Sequence, residues 1–342
     1  MTTISRRYEL QATELRSIFD EHIRPRYFAD SAPRVRPTAV IVGGQSGSGL
    51  AAAATMFRRA YPPSRMPPVI GDEVRIYHPR YLELTATQPG LAVEATSQAA
   101  VEWARMAVDY AAAHGFSLIL IGTLRKPGMV ITGLRRLHDA GLHTQLSLLS
   151  VQPHVSRLAT VQRFGRDHRR TGLGVWTPLS FHEAEYAGVE HALSGRTLES
   201  VCDRLSIYDG AGALLVHSDA TAVRAGEALT AIHQGRSARL SQPAAEAWLR
   251  ELHIELKYMQ HLHVFSDEMP LMLNRLILDA HSVLLRAHPV VGAARSTAVA
   301  ALSDAMRTLP TEAAEVVHAD PAPTLLRPRR RAGPIQGLLG TA

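Results

Sequence analysis

The 342-residue sequence has one cysteine, Cys202, which excludes an intrachain disulfide and a thiolate metal cluster. Its expected place is a small buried apolar position. Lysine is nearly as scarce: of 37 basic residues only Lys126 and Lys257 are lysines, so a site that needs an ammonium has two candidates at most. No apolar run approaches the roughly 20 residues that cross a bilayer. Met1 to Arg7 carries no apolar leader, and a cytoplasmic location without a membrane partner is expected. Aromatic residues make up 6% and do not interleave with basic ones, so nucleic acid is not an expected partner.

What is present describes a folded α/β protein. Hydrophobic residues are 46% and charged residues 20%, a globular balance. The net charge of +6 is dispersed except for Arg327, Arg329, Arg330 and Arg331. These lie among Pro321, Pro323, Pro328 and Pro334, and residues 313–342 read as a flexible basic tail. Leu10, Leu15, Ile18, Phe19 and Ile23 recur at helical spacing over Tyr8 to Phe28. Thr38 to Val42 is a short β-branched run that reads as a strand buried on both faces, and an alanine-rich helix is expected from Leu50 to Ala60. Further strands are expected at Val69-Ile70, Phe116 to Ile121 and His143 to Val151, with helices at Val101 to His114, Arg157 to Arg170 and Phe181 to Ser194. Leu205 to Tyr208 and Ala213 to Val216 flank the turn residues Asp209-Gly210 as a late strand pair.

Strands alternating with helices predict a parallel sheet covered on both faces, an α/β domain over residues 1–218; the glycine-rich turn after its first strand, described below, is what points to the P-loop type. Residues 219–312 carry helical patterns only and read as an α-helical region. His253, Lys257 and His261 share a helix face there, expected to be solvated rather than metal-binding. No metal site is expected. Trp103, Trp176 and Trp248 are expected in the core.

The chemistry-bearing signal follows the first strand. Gly44, Gln45, Ser46, Gly47, Ser48 and Gly49 form a glycine-rich turn between strand and helix, where backbone N–H groups and the positive helix end cradle phosphates. The full signature is G-x-x-x-x-G-K-[ST]. Gly44 and Gly49 hold its glycine positions, but Leu50 and Ala51 stand where the lysine and the hydroxyl belong.

The stretch Gly43 to Gly49, preceded by Ile23-Arg24-Pro25 and Arg36-Pro37, resembles the entry to the zeta-toxin family of UDP-N-acetylglucosamine kinases. Val69 to Arg75 followed by Tyr77-His78-Pro79 is similar to that family's second-strand motif, and Leu118 to Arg125 to its third-strand motif. Val161 to Phe164 and Gly172 to Tyr186, with His182-Glu183, resemble its arginine-bearing lid, and Leu205 to Asp209 its last strand. The likeness spans Tyr8 to His217. It implies ATP at the loop, Asp72 as base on the substrate hydroxyl, Arg163 as a lid arginine, and Arg75, His78, Thr123 and Arg125 on the substrate side. The departures fall on the chemistry: besides Leu50 and Ala51, Ile121 replaces a glutamate before Gly-Thr, and Val175 a second lid arginine. Losing one pre-organised charge stabiliser costs roughly 100- to 1000-fold in rate.

Three functional classes remain open on these residues. The first is a degenerate kinase that still binds a nucleotide or nucleotide sugar, with weak ATP binding little dependent on magnesium. The second is a working ATP-dependent kinase of UDP-N-acetylglucosamine or a similar small molecule, in which Arg58, Arg59 or Arg125 replaces the lysine. The third is an interaction protein acting through its C-terminal helices. An antitoxin-type protein partner is compatible with each.

Overall fold

The computed structural model describes residues 6–59, 68–194, 196–219, 225–262 and 268–287, with 292, 296–297 and 299–300. The expected tail lies outside the described residues.

The chain enters through helix α1 (residues 12–28), which passes through a π turn at Phe19–Ile23 and buries Leu15, Phe19, Ile23 and Phe28. It begins at Ala12 rather than Tyr8, because its entry is tied down by pairing of the Leu10 backbone with the Gln98 amide. Six strands follow: β1 (Thr38–Gly44), β2 (Val69–Ile70), β3 (Leu118–Thr123), β4 (His143–Ser150), β5 (Arg204–Asp209) and β6 (Leu214–Asp219). They form one sheet in the order β2-β3-β1-β4-β5-β6. All neighbours run parallel except β6, which returns antiparallel to β5, as the short turn at Asp209 to Ala213 allows.

The apolar, β-branched run of β1 places it at the centre. It pairs Ala39 to Leu118 on one side and to Thr144 on the other. Between the strands lie α2 (Leu50–Arg59), α3 (Tyr81–Thr87), α4 (Pro89–Ala95), α5 (Ser97–His114), α6 (Pro127–Asp139), α7 (Pro153–Thr171) and α8 (Leu179–Leu193). Helices α3, α4 and α6 are additions to the elements read from the sequence. Trp103 is fully buried on α5 and donates Nε1 to the Leu15 carbonyl at 3.0 Å.

Three more helices complete the described chain: α9 (Ala225–Ser237), α10 (Gln242–Met259) and α11 (Glu268–Ala287). They do not make a separate core. Ala228, Ala231 and Ile232 of α9 pack with Leu148 and Ile207 of the sheet. Trp248, Leu252, Met272 and Leu276 pack with Leu158, Val161 and Phe164 of α7 and with Trp176. His253 is exposed on α10, and His261 is exposed in the turn just past its end. Cys202 is buried, and burial pushes its thiol pKa up to about 11. Among the described residues, no helix is long and apolar enough to cross a membrane and no group of three or more His, Cys, Asp and Glu could hold a metal ion.

Candidate functional site

Parallel strands deliver their following loops to one edge of the sheet, the carboxyl edge, where ligands of open α/β folds bind. Here the register sets Gly44 of β1 beside Thr123 of β3. The phosphate-type loop and the third-strand motif are thereby adjacent. Gly47 and Gly49 have φ of 77° and 93°, the left-handed region that glycine occupies without strain. A Cβ on Gly47 would also overlap the carbonyl oxygen of Ser156, so the loop lies directly on the start of α7. Gln45 is fully buried and donates Nε2 to the Val151 carbonyl at 3.0 Å and to Ser156 Oγ at 3.3 Å. Ser48 N–H closes a turn onto the Gln45 carbonyl at 3.1 Å, while its buried hydroxyl makes no hydrogen bond.

The two residues that would normally work on phosphate and metal do other things. Leu50 is half-buried against the cluster of Val40, Val42 and Ala53, and Ala51 is an exposed methyl group. Arg58 and Arg59 lie eight and nine residues on from Leu50, at the far end of α2, about 12 Å along the axis. Arg125 is engaged elsewhere: Nη2 donates to Ser97 Oγ at 3.0 Å and the guanidinium lies 4.0 Å over the Phe181 ring.

On the other side of β3, Asp72, Arg75, Ile121, Thr123 and Arg125 line a cavity of about 400 Å³ between α5 and α6. Arg75 is buried and fixed: Nε donates to Asp72 Oδ1, and Nη1 to the Val93 carbonyl and Thr96 Oγ1, each at 3.0 Å. The Asp72 side chain stays 64% accessible to solvent. Desolvation by the surrounding walls raises its pKa, but the charges of Arg75, Arg163 and Arg125 outweigh this and hold it below the ordinary 3.8. The result is a carboxylate ionised at neutral pH, paired with Arg75 and within the field of Arg163 and Arg125. Arg163 reaches this field from α7, with Nη2 donating to Thr177 Oγ1 at 3.0 Å. Ile121 is half-buried and packs against Val40 and Val42, a hydrophobic wall where a carboxylate was the family expectation.

His78 is placed differently from the expectation. It is 2% exposed, its Nε2 pairs with the Tyr8 carbonyl at 3.0 Å, and its Nδ1 accepts from the Arg80 backbone N–H at 3.2 Å. Burial lowers its pKa. It pins the entry segment to the 3₁₀ turn Asp72–Tyr77 and does not line the cavity.

The segment between α7 and α8 holds the residues that resemble the family's lid. Trp176 is buried and meets Phe164 edge-on, ring centroids 5.2 Å apart, and Val175 beside it is half-buried. Beneath it runs a polar network that sequence reasoning did not find. Ser156 Oγ and His182 Nε2 are 2.8 Å apart. Arg157 donates to Glu183 Oε1 at 2.9 Å and to Asp279 Oδ2 of α11 at 2.6 Å. Both Ser156 and His182 are fully buried, so this serine and histidine position the loop rather than meet a substrate. Glu185, Ser97 and Phe181 were also missed. Glu185 lies three residues from His182 on one helix face, the one local hint that it points inward.

The mostly parallel sheet, with its glycine-rich loop at the carboxyl edge, defines a fold of the P-loop kinase type. A profile of the zeta toxin family matches residues 24–221, more than half of the chain. The chain belongs to the zeta toxin family. It is 29% identical over 129 residues to Toxin PezT of Streptococcus pneumoniae serotype 4, a match covering 38% of this chain and 51% of that protein. The chain thus spans about half the length of this curated relative. A structure from the characterization of the PezAT chromosomal toxin-antitoxin system of Streptococcus pneumoniae shares the fold, with a TM-score of 0.59 at 21% identity over 74% of this chain and 97% of that one. The crystal structure of AvrRxo1-ORF1:-ORF2 with ATP superposes with a TM-score of 0.43 at 12% identity, covering 87% of each chain.

Proposed function

We propose that this protein is a degenerate member of its kinase family, one that keeps a pocket for a nucleotide sugar such as UDP-N-acetylglucosamine, binds ATP weakly, and transfers phosphoryl groups poorly or not at all. One observation carries this reading: Leu50 packs into an apolar cluster beside the loop while Asp72, Arg75 and Arg125 remain arranged on the wall of the cavity. The acceptor side keeps its charges; the donor side has lost its own. Without a lysine on the β- and γ-phosphates or a hydroxyl for magnesium, the developing charge of phosphoryl transfer lacks two of its usual stabilisers. PezT's membership of a toxin-antitoxin system supports an antitoxin-type protein partner for this chain as well.

The ionised Asp72, flanked by Arg75, Arg163 and Arg125, favours a second reading, a working kinase that relies on arginines. One set of titrations separates the two. Calorimetry with UDP-N-acetylglucosamine is expected to show binding that weakens in Arg125→Ala. Mixing protein, ATP-Mg and the sugar nucleotide is expected to release no ADP above background. ADP release that depends on the sugar nucleotide and disappears in Asp72→Asn would establish the second reading and end the first.

A further inference from the structure

The phosphate loop is met by the protein's own acid. Glu185 of α8 is 4% exposed, and its Oε2 accepts the backbone N–H of Ser46 at 2.8 Å. Ser46 belongs to the run of N–H groups that such a loop turns toward phosphate. The loop is also braced against the start of α7, since Gln45 is bonded to Val151 and Ser156 and Gly47 abuts the Ser156 carbonyl. Among the described residues, the N–H groups of Gly47, Gly49, Leu50 and Ala51 have no intramolecular acceptor. The loop therefore still presents donors, with one carboxylate set at its mouth.

The same carboxylate acts on the substrate side. Burial lowers the pKa of Arg125, and the negative charge of Glu185 is the first influence that opposes it. Glu185 thus contributes its charge between the loop and the cavity wall, the two surfaces that would flank a phosphoryl group in transfer.

We propose that Glu185 stands in for a phosphate group: it fills the loop as an internal anion, so that ATP and inorganic polyphosphates are refused until its side chain swings out, and ligand binding in the resting protein is confined to the cavity at Asp72 and Arg125. The inference rests on the phosphate-loop reading made above and names the residue that selects ligands there. An entering phosphate must either face the carboxylate, a like-charge contact that is strongly unfavourable, or displace it and leave a buried acid without its N–H donor.

Tripolyphosphate tests this without reference to any sugar or nucleoside, so its outcome is separable from the titration with UDP-N-acetylglucosamine. By calorimetry, Glu185→Gln, which removes the charge and keeps the shape, and Glu185→Ala, which opens the space, are each expected to bind tripolyphosphate at least about tenfold more tightly than the wild type. Equal affinity in wild type and both variants, or tight binding by the wild type, overturns the proposal. Hydrogen exchange on the wild-type chain needs no variant: the Ser46 amide is expected to exchange slowly, and millimolar tripolyphosphate to leave the loop unchanged. A fast-exchanging Ser46 amide, or a loop protected by tripolyphosphate, overturns it equally.

Discussion

Arg157 is where removal of one side chain should be felt most widely. Its side chain is 3% exposed and spans Glu183 on α8 and Asp279 on α11, joining α8 to the C-terminal helices. In Arg157→Ala the Asp279 carboxylate, itself 12% exposed, loses its closest cation and, among the described residues, keeps Arg275 at 3.5 Å. Glu183 is 44% exposed and can turn to water. Breaking a fully buried ion pair costs about 3–5 kcal/mol, and with one partner half-solvated and the other retaining a second arginine, the lower end applies, about 3 kcal/mol. In a chain of this length that lowers Tm by on the order of 5 °C. Urea unfolding of wild type, Arg157→Ala, Asp279→Ala and the double variant reads the loss and the coupling between the two sites. In the double variant the second substitution should cost less than it does alone, since the partner is already gone. A loss below about 1 kcal/mol for Arg157→Ala, the value of an exposed pair, or strict additivity, would refute the claim that this contact ties α8 to the C-terminal helices.

Acid should probe the same network. His182 and Arg157 hold the Glu183 pKa down at about 2, from an ordinary 4.5, against some opposing desolvation. A depressed carboxylate contributes stability that is full above pH 4.5 and is lost as pH falls toward 2. Unfolding free energy measured across that window should therefore fall, and fall less in Glu183→Gln. The double variant Leu50→Lys with Ala51→Thr is expected to bind ATP more tightly than wild type, to lose about 1 kcal/mol because a half-buried leucine leaves its cluster, and to remain inactive on UDP-N-acetylglucosamine; robust ADP release would show that Ile121 and Val175 are tolerated by the chemistry. Gly47→Ala meets both a left-handed φ and the Ser156 carbonyl, and thermal unfolding should show a loss above about 1 kcal/mol; an unchanged Tm would mean that loop and α7 part easily.

The legible parts of the site were those written in consecutive residues. Thr38 to Gly49 announced a strand, a tight turn and a helix, and the chain forms β1, the loop and α2 there. The run Phe116 to Ile121 announced β3, though the strand begins two residues later and extends to Thr123. Helix α6 went unread because Gly128 and Gly133 and the β-branched Val130-Ile131-Thr132 blur its helical pattern. It forms because Leu134 and Leu137 are buried in the cores beside the sheet. His78 was read by its motif as substrate-side, and only the burial of its ring on the Tyr8 carbonyl assigned it to the fold.

Sequence alone determined that a phosphate-type loop is present, that Leu50 and Ala51 deprive it of a cation and a hydroxyl, and that an aspartate follows the second strand. These are properties of side-chain type and of backbone preference between near neighbours. Only the tertiary structure decided which acid meets the loop and what ties α7 to α11: Glu185 meets Ser46 across 139 residues of chain, and Arg157 meets Asp279 across 122. Such pairings depend on how helices pack on a sheet, because a carboxylate is buried wherever packing supplies it a donor and stays at the surface where packing does not.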